Sequence, residues 1–248
     1  MFAELRTDIK SALSIARPGA LMYRDAQYLA ATLTVDTQRL RRWLPPGVSL
    51  TKEARADLFC AYFPDNTIGA VYHEAGLFVH INVWGKTGIF CPWMIVDNDA
   101  ALILGRELLG YPKKMGDFTW LRNGDELRAS GARHGQKLVQ MTARVGDVII
   151  DPPPFLGRPH RNLIGTLGLS MPRLLAFTPM EINVETRKVD MSVQFDGNAQ
   201  DPLHEMGLGE VVAARLHRVN LGSSWRPPFP VRPVSLLFLL RHMRLRMF

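Results

Sequence analysis

Residues 105–116 read Gly105-Arg106-Glu107-Leu108-Leu109-Gly110-Tyr111-Pro112-Lys113-Lys114-Met115-Gly116. The segment sets the boundary between two elements, because its first half ends an apolar helical pattern and its second half leads into a predicted strand. Gly110 ends the helix and Pro112 straightens the backbone. Two lysines then stand side by side between apolar segments. Adjacent ammonium groups in apolar surroundings are unfavourable, so this segment is the first indication of chemistry.

The lysine pair allows two interpretations. Lysines are mostly exposed, so two solvated loop lysines are the simpler one. The alternative is that Gly110, Pro112 and Gly116 hold Lys113 in a partly desolvated position, where burial and a nearby positive charge lower its pKa. With the ordinary pKa of about 10.4, about one lysine in 2,500 is a free amine at pH 7. A Schiff-base lysine must be that free amine, so the second interpretation predicts a nucleophile.

Two further features bear on this prediction. If the segment is extended, Lys113 and Lys114 point to opposite faces, and desolvation has to supply much of the shift in the Lys113 pKa. Glu74, which we expect in a turn within Tyr72-His73-Glu74-Ala75-Gly76, is the second candidate. A solvated loop carboxylate is the simpler interpretation of Glu74. The functional one is an acid and base that moves the protons of an imine or enamine.

Composition narrows the functional class. Of the 248 residues, 47% are hydrophobic and 21% are charged, which predicts one folded domain over residues 1–248. The formal charge of +7 is scattered, without a run of five like charges, and this argues against nucleic-acid binding. Cys60 and Cys91 lie in apolar runs and are expected to be buried thiols. No signal peptide or membrane-spanning run is visible, which predicts a cytoplasmic protein without membrane insertion.

Short apolar runs at close spacing predict a mainly β chain, antiparallel and closed or sandwiched. The predicted strands are Gln27–Val35, Ala56–Phe63, Leu77–Trp84, Ile89–Val96, Asp117–Arg122, Glu126–Ser130, Lys137–Val145, Leu163–Leu169, Glu181–Phe195 and Glu210–Val219. The predicted helices are Ala3–Ala16, one from Thr37 through Trp43, Asp99–Leu109 and Val234–Phe248. Loops are expected at Gly85–Gly88 and at the Asn123-Gly124 turn.

Motifs for other chemistries do not occur in the sequence. The seven histidines are dispersed, without HExxH spacing or a zinc-ligand cysteine pair. There is no GxSxG hydrolase motif, and neither GxxxxGK[ST] nor GxGxxG occurs. The lysine pair is therefore the strongest chemical signal in the chain, and its chemistry needs no metal, flavin or nicotinamide.

At these residues the chain resembles the acetoacetate decarboxylase family. The match comprises Asp97-Asn98, Gly105-Arg106-Glu107, Tyr111-Pro112-Lys113-Lys114 and the upstream Tyr72–Gly76 segment. Weaker similarity runs through Leu29–Pro46 and Pro202–Leu221, so the resemblance covers most of the chain. It implies a mainly β fold with flanking helices, barrel-like and antiparallel, in a protein that forms homo-oligomers.

The resemblance also implies roles for individual residues. Lys113 corresponds to the Schiff-base nucleophile, Lys114 to the lysine that helps to lower its pKa, and Glu74 to an active-site glutamate. Arg24 corresponds to an active-site arginine that would contact the substrate carboxylate, and Tyr111 belongs to the substrate-binding motif. Phe59 stands where the family has a second active-site glutamate. Asp57 shares a strand face with that position and could substitute for it in part.

The predicted function is decarboxylation of a β-keto acid through a lysine imine, on acetoacetate or a bulkier, less polar relative. Phe59 in place of an acid favours the bulkier substrate. One alternative uses the same imine for aldol or dehydration chemistry on a keto acid. Another is a non-catalytic barrel that binds an apolar ligand, with the lysines exposed and the C-terminal helix packed on the domain or at a subunit interface.

Overall fold

The computed structural model describes residues 21–165, 171–223 and 228–247. Within these ranges fifteen strands join one sheet, flanked by four α-helices and one 3₁₀ turn at Leu203–Glu205. The predicted helix Ala3–Ala16 and the end of the predicted strand Leu163–Leu169 lie outside the described residues. No helix in the described ranges is both long and apolar enough to cross a membrane.

The strands and helices are numbered in chain order. The strands are β1 Met22–Val35, β2 Ser49–Leu50, β3 Arg55–Phe63, β4 Asp65–Asn66, β5 Tyr72–Val83, β6 Lys86–Val96, β7 Lys113–Met115, β8 Asp117–Asn123, β9 Glu126–Arg133, β10 Gln136–Val148, β11 His160–Ile164, β12 Arg173–Phe177, β13 Met180–Phe195, β14 Leu208–Gly222 and β15 Phe229–Pro233. The helices are α1 Thr37–Arg41, α2 Asp99–Leu109, α3 Leu236–Arg241 and α4 Arg244–Met247.

The sheet confirms the mainly β, antiparallel prediction. Its order is β15-β12-β11-β6-β5-β3-β1-β14-β13-β10-β9-β8, with β2, β4 and β7 attached beside β5, β1 and β6. Only β11 and β7 run parallel to β6 within the described ranges, and every other pair is antiparallel. The hydrogen-bonded path has two ends, at β15 and β8, so the sheet is not closed. "Barrel-like" is therefore a loose description of this sheet.

Several boundaries differ from the predictions. Strand β5 begins at Tyr72 because the whole of Tyr72–Gly76 pairs with β3. The β5–β6 connection contains only Trp84 and Gly85, whose φ angles of 52° and 76° are both positive, as a tight primed hairpin turn requires. The β8–β9 turn is Gly124-Asp125, one residue later than expected. The predicted C-terminal helix is two helices, since His242 leaves helical geometry.

The central strands carry an apolar layer on each face, because successive side chains alternate between faces. On β3, Leu58 and Cys60 enter one layer, which also contains Trp93 and Ile95. Phe59, Ala61 and Phe63 enter the other layer. Cys60 and Cys91 are both buried and free, as predicted. The second layer surrounds a cavity, and this cavity contains the candidate site.

Candidate active site

Helix α2 and the turn after it set the position of the two lysines. The Asn98 side chain caps the start of α2 by accepting a hydrogen bond from the Ala101 amide. Gly110 ends the helix at φ 66°, and a Cβ at this position would lie 2.9 Å from the Leu163 carbonyl oxygen. Lys113 and Lys114 then begin β7, parallel to β6. The extended segment confirms that the two lysine side chains point to opposite faces.

Strand register brings the candidate residues onto one face. Phe59, Gly76, Met94 and Lys113 are paired in succession across β3, β5, β6 and β7, so they form one row across the sheet. Glu74 lies two residues before Gly76 and therefore shares its face, one row away. A Cβ on Gly76 would approach Phe59 Cζ to 2.8 Å. Because glycine has no side chain, Gly76 leaves room for the Phe59 ring on this face of the sheet.

Lys113 and Glu74 form a buried ion pair in this cavity. Only 5% of each residue is exposed. The Lys113 ammonium also donates to the Ala101 carbonyl oxygen at 3.2 Å. Burial raises the pKa of Glu74, and the positive charge and hydrogen bond of Lys113 oppose that rise. The simpler interpretations, a solvated loop lysine and a solvated loop carboxylate, are therefore wrong, and Glu74 lies in β5 instead of the expected turn.

Gly105 makes space for the Lys113 side chain. A Cβ on Gly105 would lie 2.6 Å from Lys113 Cε and 2.9 Å from Nζ, closer than real Cβ contacts allow. Arg106, the next residue, donates to the carbonyl oxygens of Lys113 at 3.3 Å and Arg246 at 2.9 Å. Gly105 thus leaves space for the Lys113 side chain, and Arg106 links the Lys113 backbone to α4.

Lys114 points to the opposite face and joins a different ion pair. Its ammonium pairs with Asp201, which is fully buried, and donates to the Gln200 carbonyl oxygen at 2.7 Å. Asp201 also accepts from Trp93 Nε1 at 2.9 Å and lies 3.5 Å from an Arg133 guanidinium nitrogen. Burial lowers the pKa of Lys114 to about 8, although Asp201 opposes this shift. Lys114 does not line the cavity that contains Lys113.

The cavity has a volume of about 430 Å³. Its walls are mostly aromatic and aliphatic: Leu21, Tyr23, Tyr28, Phe59, Phe63, Tyr72, Phe78, Met94, Ile103, Leu104, Leu108, Leu109, Tyr111, Leu156, Phe177, Pro179, Leu221, Gly222 and Pro228, with Ser223, Glu107, Glu74 and Lys113 as the remaining lining residues. Glu107 is exposed at the rim. Lys113 is therefore the only cation among the described residues that line this space.

Phe59 lies in the cavity wall, whereas Asp57 is engaged elsewhere. Phe59 is fully buried and packs 4.7 Å from the Phe78 ring centroid. The Asp57 carboxylate accepts from Thr32 Oγ1 and Arg158 NH2, each at 2.7 Å, and lies 2.8 Å from His80 Nε2. Hydrogen bonds and positive neighbours hold the pKa of Asp57 far below its usual range, against the effect of burial. Asp57 thus has a structural set of partners and does not line the cavity.

Arg24 is not brought to the site. Its side chain is 63% exposed and its guanidinium lies 3.0 Å from Asp65 on the surface. The side chain of the preceding residue, Tyr23, lines the cavity instead. Because neighbouring residues of a strand face opposite ways, Arg24 points away from the space that Tyr23 enters. The position of Arg24 does not support the predicted contact with a substrate carboxylate.

Tyr111 is fixed at the cavity wall through His160. His160 Nε2 lies 3.1 Å from the Leu156 carbonyl oxygen, which can only accept, so Nε2 carries the ring proton. Nδ1 is then the acceptor for the Tyr111 hydroxyl at 3.1 Å. Burial lowers the pKa of His160 to about 3, which keeps the ring neutral. This chain of hydrogen bonds fixes Tyr111 and Leu156 in the same wall.

Several cavity residues carry no motif and were missed from the sequence: Tyr28, Phe63, Phe78, Leu156 and Phe177. The alternation along β1 and β3 was the available signal, because Tyr28 and Phe63 lie on the same faces as Ala26 and Phe59. No comparable signal exists for Leu156, which enters from the irregular segment before β11.

Known proteins match this chain over most of its length. The family model described as acetoacetate decarboxylase matches residues 8–223. The acetoacetate decarboxylase of Clostridium botulinum is 24% identical over 206 residues, covering 79% of this chain and 83% of that protein. The crystal structure of acetoacetate decarboxylase from Legionella pneumophila matches with a TM-score of 0.77 at 17% identity, over 88% of both chains.

A second solved structure is that of a differently named enzyme. The enduracididine biosynthesis enzyme MppR, complexed with the condensation product of pyruvate and imidazole 4-carboxaldehyde, matches with a TM-score of 0.71 at 15% identity. The match covers 87% of this chain and 89% of that chain. Both structures therefore have the fold of this chain.

Proposed function

We propose the function from one premise: the chain belongs to the acetoacetate decarboxylase family, whose model matches residues 8–223. Membership supports an enzyme with decarboxylase-type activity on small keto acids. Within that class, we infer that the protein decarboxylates a β-keto acid through an imine on Lys113. The observation that carries the inference is the buried Lys113–Glu74 ion pair inside an apolar cavity.

The ion pair supports a route to the nucleophile. Glu74, whose pKa is raised by burial, takes a proton from the Lys113 ammonium and leaves a free amine beside a carboxylic acid. In surroundings of low polarity a neutral pair is favoured relative to water, because burial penalises both charged forms. The amine is the form that attacks a carbonyl carbon. Glu74 thus acts first as the base.

The following steps consume one proton from water for each substrate molecule. Lys113 attacks the ketone carbon, and the proton held by Glu74 leaves with the carbinolamine oxygen as water, which gives a protonated imine. Carbon dioxide departs, and the electrons of the broken carbon–carbon bond move to the imine nitrogen as an enamine forms. The enamine carbon takes a proton that derives from water, and hydrolysis of the resulting protonated imine releases the ketone and restores the Lys113 ammonium beside the Glu74 carboxylate. The proposed role of Lys114 is to hold β7 in position from the opposite face of the strand, through its ion pair with Asp201.

Phe59 supports a substrate that is bulkier and less polar than acetoacetate. The ring stands in a wall with Tyr28, Phe63 and Phe78, and a volume of about 430 Å³ is within the range of small-molecule sites. Burial of each additional methylene group contributes about 0.8 kcal/mol. We therefore expect hexanoylacetate to be decarboxylated with a higher kcat/KM than acetoacetate.

Reductive trapping tests the proposal. The protein is incubated with hexanoylacetate or acetoacetate in the presence of borohydride, which reduces an imine to a stable secondary amine, and the adduct is mapped by mass spectrometry. We expect an adduct on Lys113 and carbon dioxide release in the absence of borohydride. Lys113→Ala is the negative control. A folded protein that forms no adduct at Lys113 would sink the proposal.

One alternative has support of its own. The fold neighbour MppR is complexed with a condensation product of pyruvate and an aldehyde, and an imine at Lys113 would equally serve aldol or dehydration chemistry. A keto-acid and aldehyde panel separates the two functions: a condensation product without gas release supports the alternative. The cytoplasmic location and the homo-oligomer stay predictions, and light scattering of the purified protein measures the latter.

A further inference from the structure

One phenol in the cavity makes no hydrogen bond within the part of the chain that the structure describes. Tyr111 donates to His160, and the hydroxyls of Tyr23 and Tyr72 hydrogen-bond to each other. Tyr28 lines the same cavity and is 2% exposed. Its hydroxyl makes no hydrogen bond with any residue that the structure describes. Polar groups inside a protein normally have partners, so a phenol that lines the cavity without one is available to a ligand.

Strand register puts the Tyr28 side chain close to the ion pair. Tyr28 pairs with Ala61 on β3, and Ala61 pairs with Glu74 on β5. Two strand spacings separate the Tyr28 and Glu74 Cα atoms, about 10 Å. Ala61 between them is too small to fill the gap. Both residues line the same cavity, Tyr28 from β1 and Lys113 from β7.

A β-keto acid brings a carboxylate into this space, and the cavity offers it little. Lys113 is the only cation among the lining residues that the structure describes, and its protonated imine keeps the charge but has only one N–H to donate. Arg24 is paired with Asp65 at the surface. An unpaired buried carboxylate is strongly unfavourable. Binding of the substrate in this cavity therefore requires a hydrogen-bond donor that contacts its carboxylate.

We propose that the Tyr28 hydroxyl donates a hydrogen bond to the substrate carboxylate and thereby selects keto acids over simple ketones. This inference rests on the proposed function, because it takes the imine at Lys113 as the second point of attachment. Burial, with the Glu74 charge as a smaller cause, raises the pKa of Tyr28 well above its ordinary value, so the phenol keeps its proton. Tyr28 then acts as a hydrogen-bond donor and does not give up its proton to the substrate.

A single neutral donor suits decarboxylation. It orients the carboxylate but solvates it less well than water does, since water supplies several hydrogen bonds. The charge is lost when carbon dioxide departs, so the poorly solvated carboxylate gains most from that step. A cationic group in place of the Tyr28 hydroxyl would bind the carboxylate more tightly. Because that binding is lost as carbon dioxide departs, it would stabilise the ground state and not the transition state.

The test compares Tyr28→Phe with the wild type by borohydride trapping at Lys113. The probes are hexanoylacetate and methyl pentyl ketone, its decarboxylation product, which has the same chain and no carboxylate. We expect the half-saturating concentration of hexanoylacetate to rise about 10-fold in Tyr28→Phe, the usual effect of losing one hydrogen bond to a charged group. The value for the ketone should stay within twofold. Tyr62→Phe, outside the cavity, is the matched control.

Each outcome decides the inference. Equal changes for both probes, or none for the keto acid, overturn it, because Tyr28 would then only pack. If the wild type forms no Lys113 adduct, the proposed function fails, and calorimetric binding of hexanoylacetate to both proteins still tests Tyr28. A 10-fold weaker binding in Tyr28→Phe supports the hydroxyl contact without the imine, whereas equal binding overturns it.

Discussion

Lys113 and Lys114 are adjacent in the sequence, yet their ammonium groups lie on opposite faces of β7 and pair with different carboxylates. Lys113 pairs with Glu74 inside the cavity, and Lys114 pairs with Asp201 in the opposite layer. The charge of Lys114 is therefore neutralised locally. In the proposed mechanism Lys113 exchanges its proton with Glu74 and not with Lys114, so we expect the two lysines to have separable effects.

Gly105→Ala is expected to reduce reactivity without unfolding the protein. The added methyl group would meet Lys113 Cε at 2.6 Å, so the lysine side chain must move away from Glu74. A misplacement of about 1 Å at a reacting group costs about 100-fold in rate. Alanine is also the better helix former by about 1 kcal/mol, so the thermal midpoint should not fall by much. Trapping rates and thermal unfolding measure the two effects, and equal reactivity would contradict the prediction.

Lys114→Met should act on stability more than on chemistry. It leaves the buried Asp201 with Trp93 and Arg133 as its remaining partners, and breaking a buried pair costs about 3–5 kcal/mol. Urea unfolding measures this loss, and Lys114→Met combined with Asp201→Asn should recover part of it. The rate of Lys113 trapping by borohydride should change little, because the two lysine side chains face apart. A large loss of trapping with retained stability would show that Lys114 acts directly on Lys113.

Local chemistry in the sequence predicted the backbone around the lysines. Gly110 and Pro112 predicted the end of α2, and the period of a strand predicted the opposite faces of Lys113 and Lys114. These signals depend on neighbouring residues only, which explains why they sufficed.

The remaining contacts depend on distant segments. Glu74 was expected in a turn, but it pairs with Ala61 in the sheet. The local sequence does not contain this pairing, because it requires two separate strands to meet in register. Asp201, far along the chain from Lys114, sits in a polar loop without a motif. Arg24 was assigned from the family resemblance, and the alternation along β1 turns it to the surface beside Asp65. Contacts between distant segments therefore determine the positions of Glu74, Asp201 and Arg24, and the local sequence pattern does not predict such contacts.

Phe59→Leu is expected to change substrate preference. The shorter side chain opens the row above Gly76, where the ring now fits, so longer or branched β-keto acids should gain in kcat/KM relative to hexanoylacetate. The loss of buried contacts with Phe78 and Phe155 should also reduce the free energy of unfolding by about 1–2 kcal/mol. A chain-length series of keto acids measures the preference. An unchanged profile would show that Phe59 is not part of the substrate wall.

His160 is expected to make the protein sensitive to acid. Its pKa is lowered from 6.5 to about 3 by burial, so between these values the unfolded chain binds a proton that the folded chain does not. Stability is then fully present above pH 6.5 and falls as the pH is lowered, by about 1.4 kcal/mol for each pH unit. His217, lowered to about 4 by burial, adds to the same trend.

The variant His160→Gln isolates the contribution of His160. Glutamine can accept from Tyr111 and donate to the Leu156 carbonyl oxygen, but it does not titrate. It also loses the stack on Phe177 at 4.7 Å, so its stability at pH 7 should be lower. The slope is the informative quantity: urea unfolding at pH 6, 5 and 4 should show stability falling less steeply than in the wild type, by about 1.4 kcal/mol for each pH unit. Parallel slopes would mean that His160 gains a proton in the folded protein, and the neutral ring that fixes Tyr111 would then be wrong.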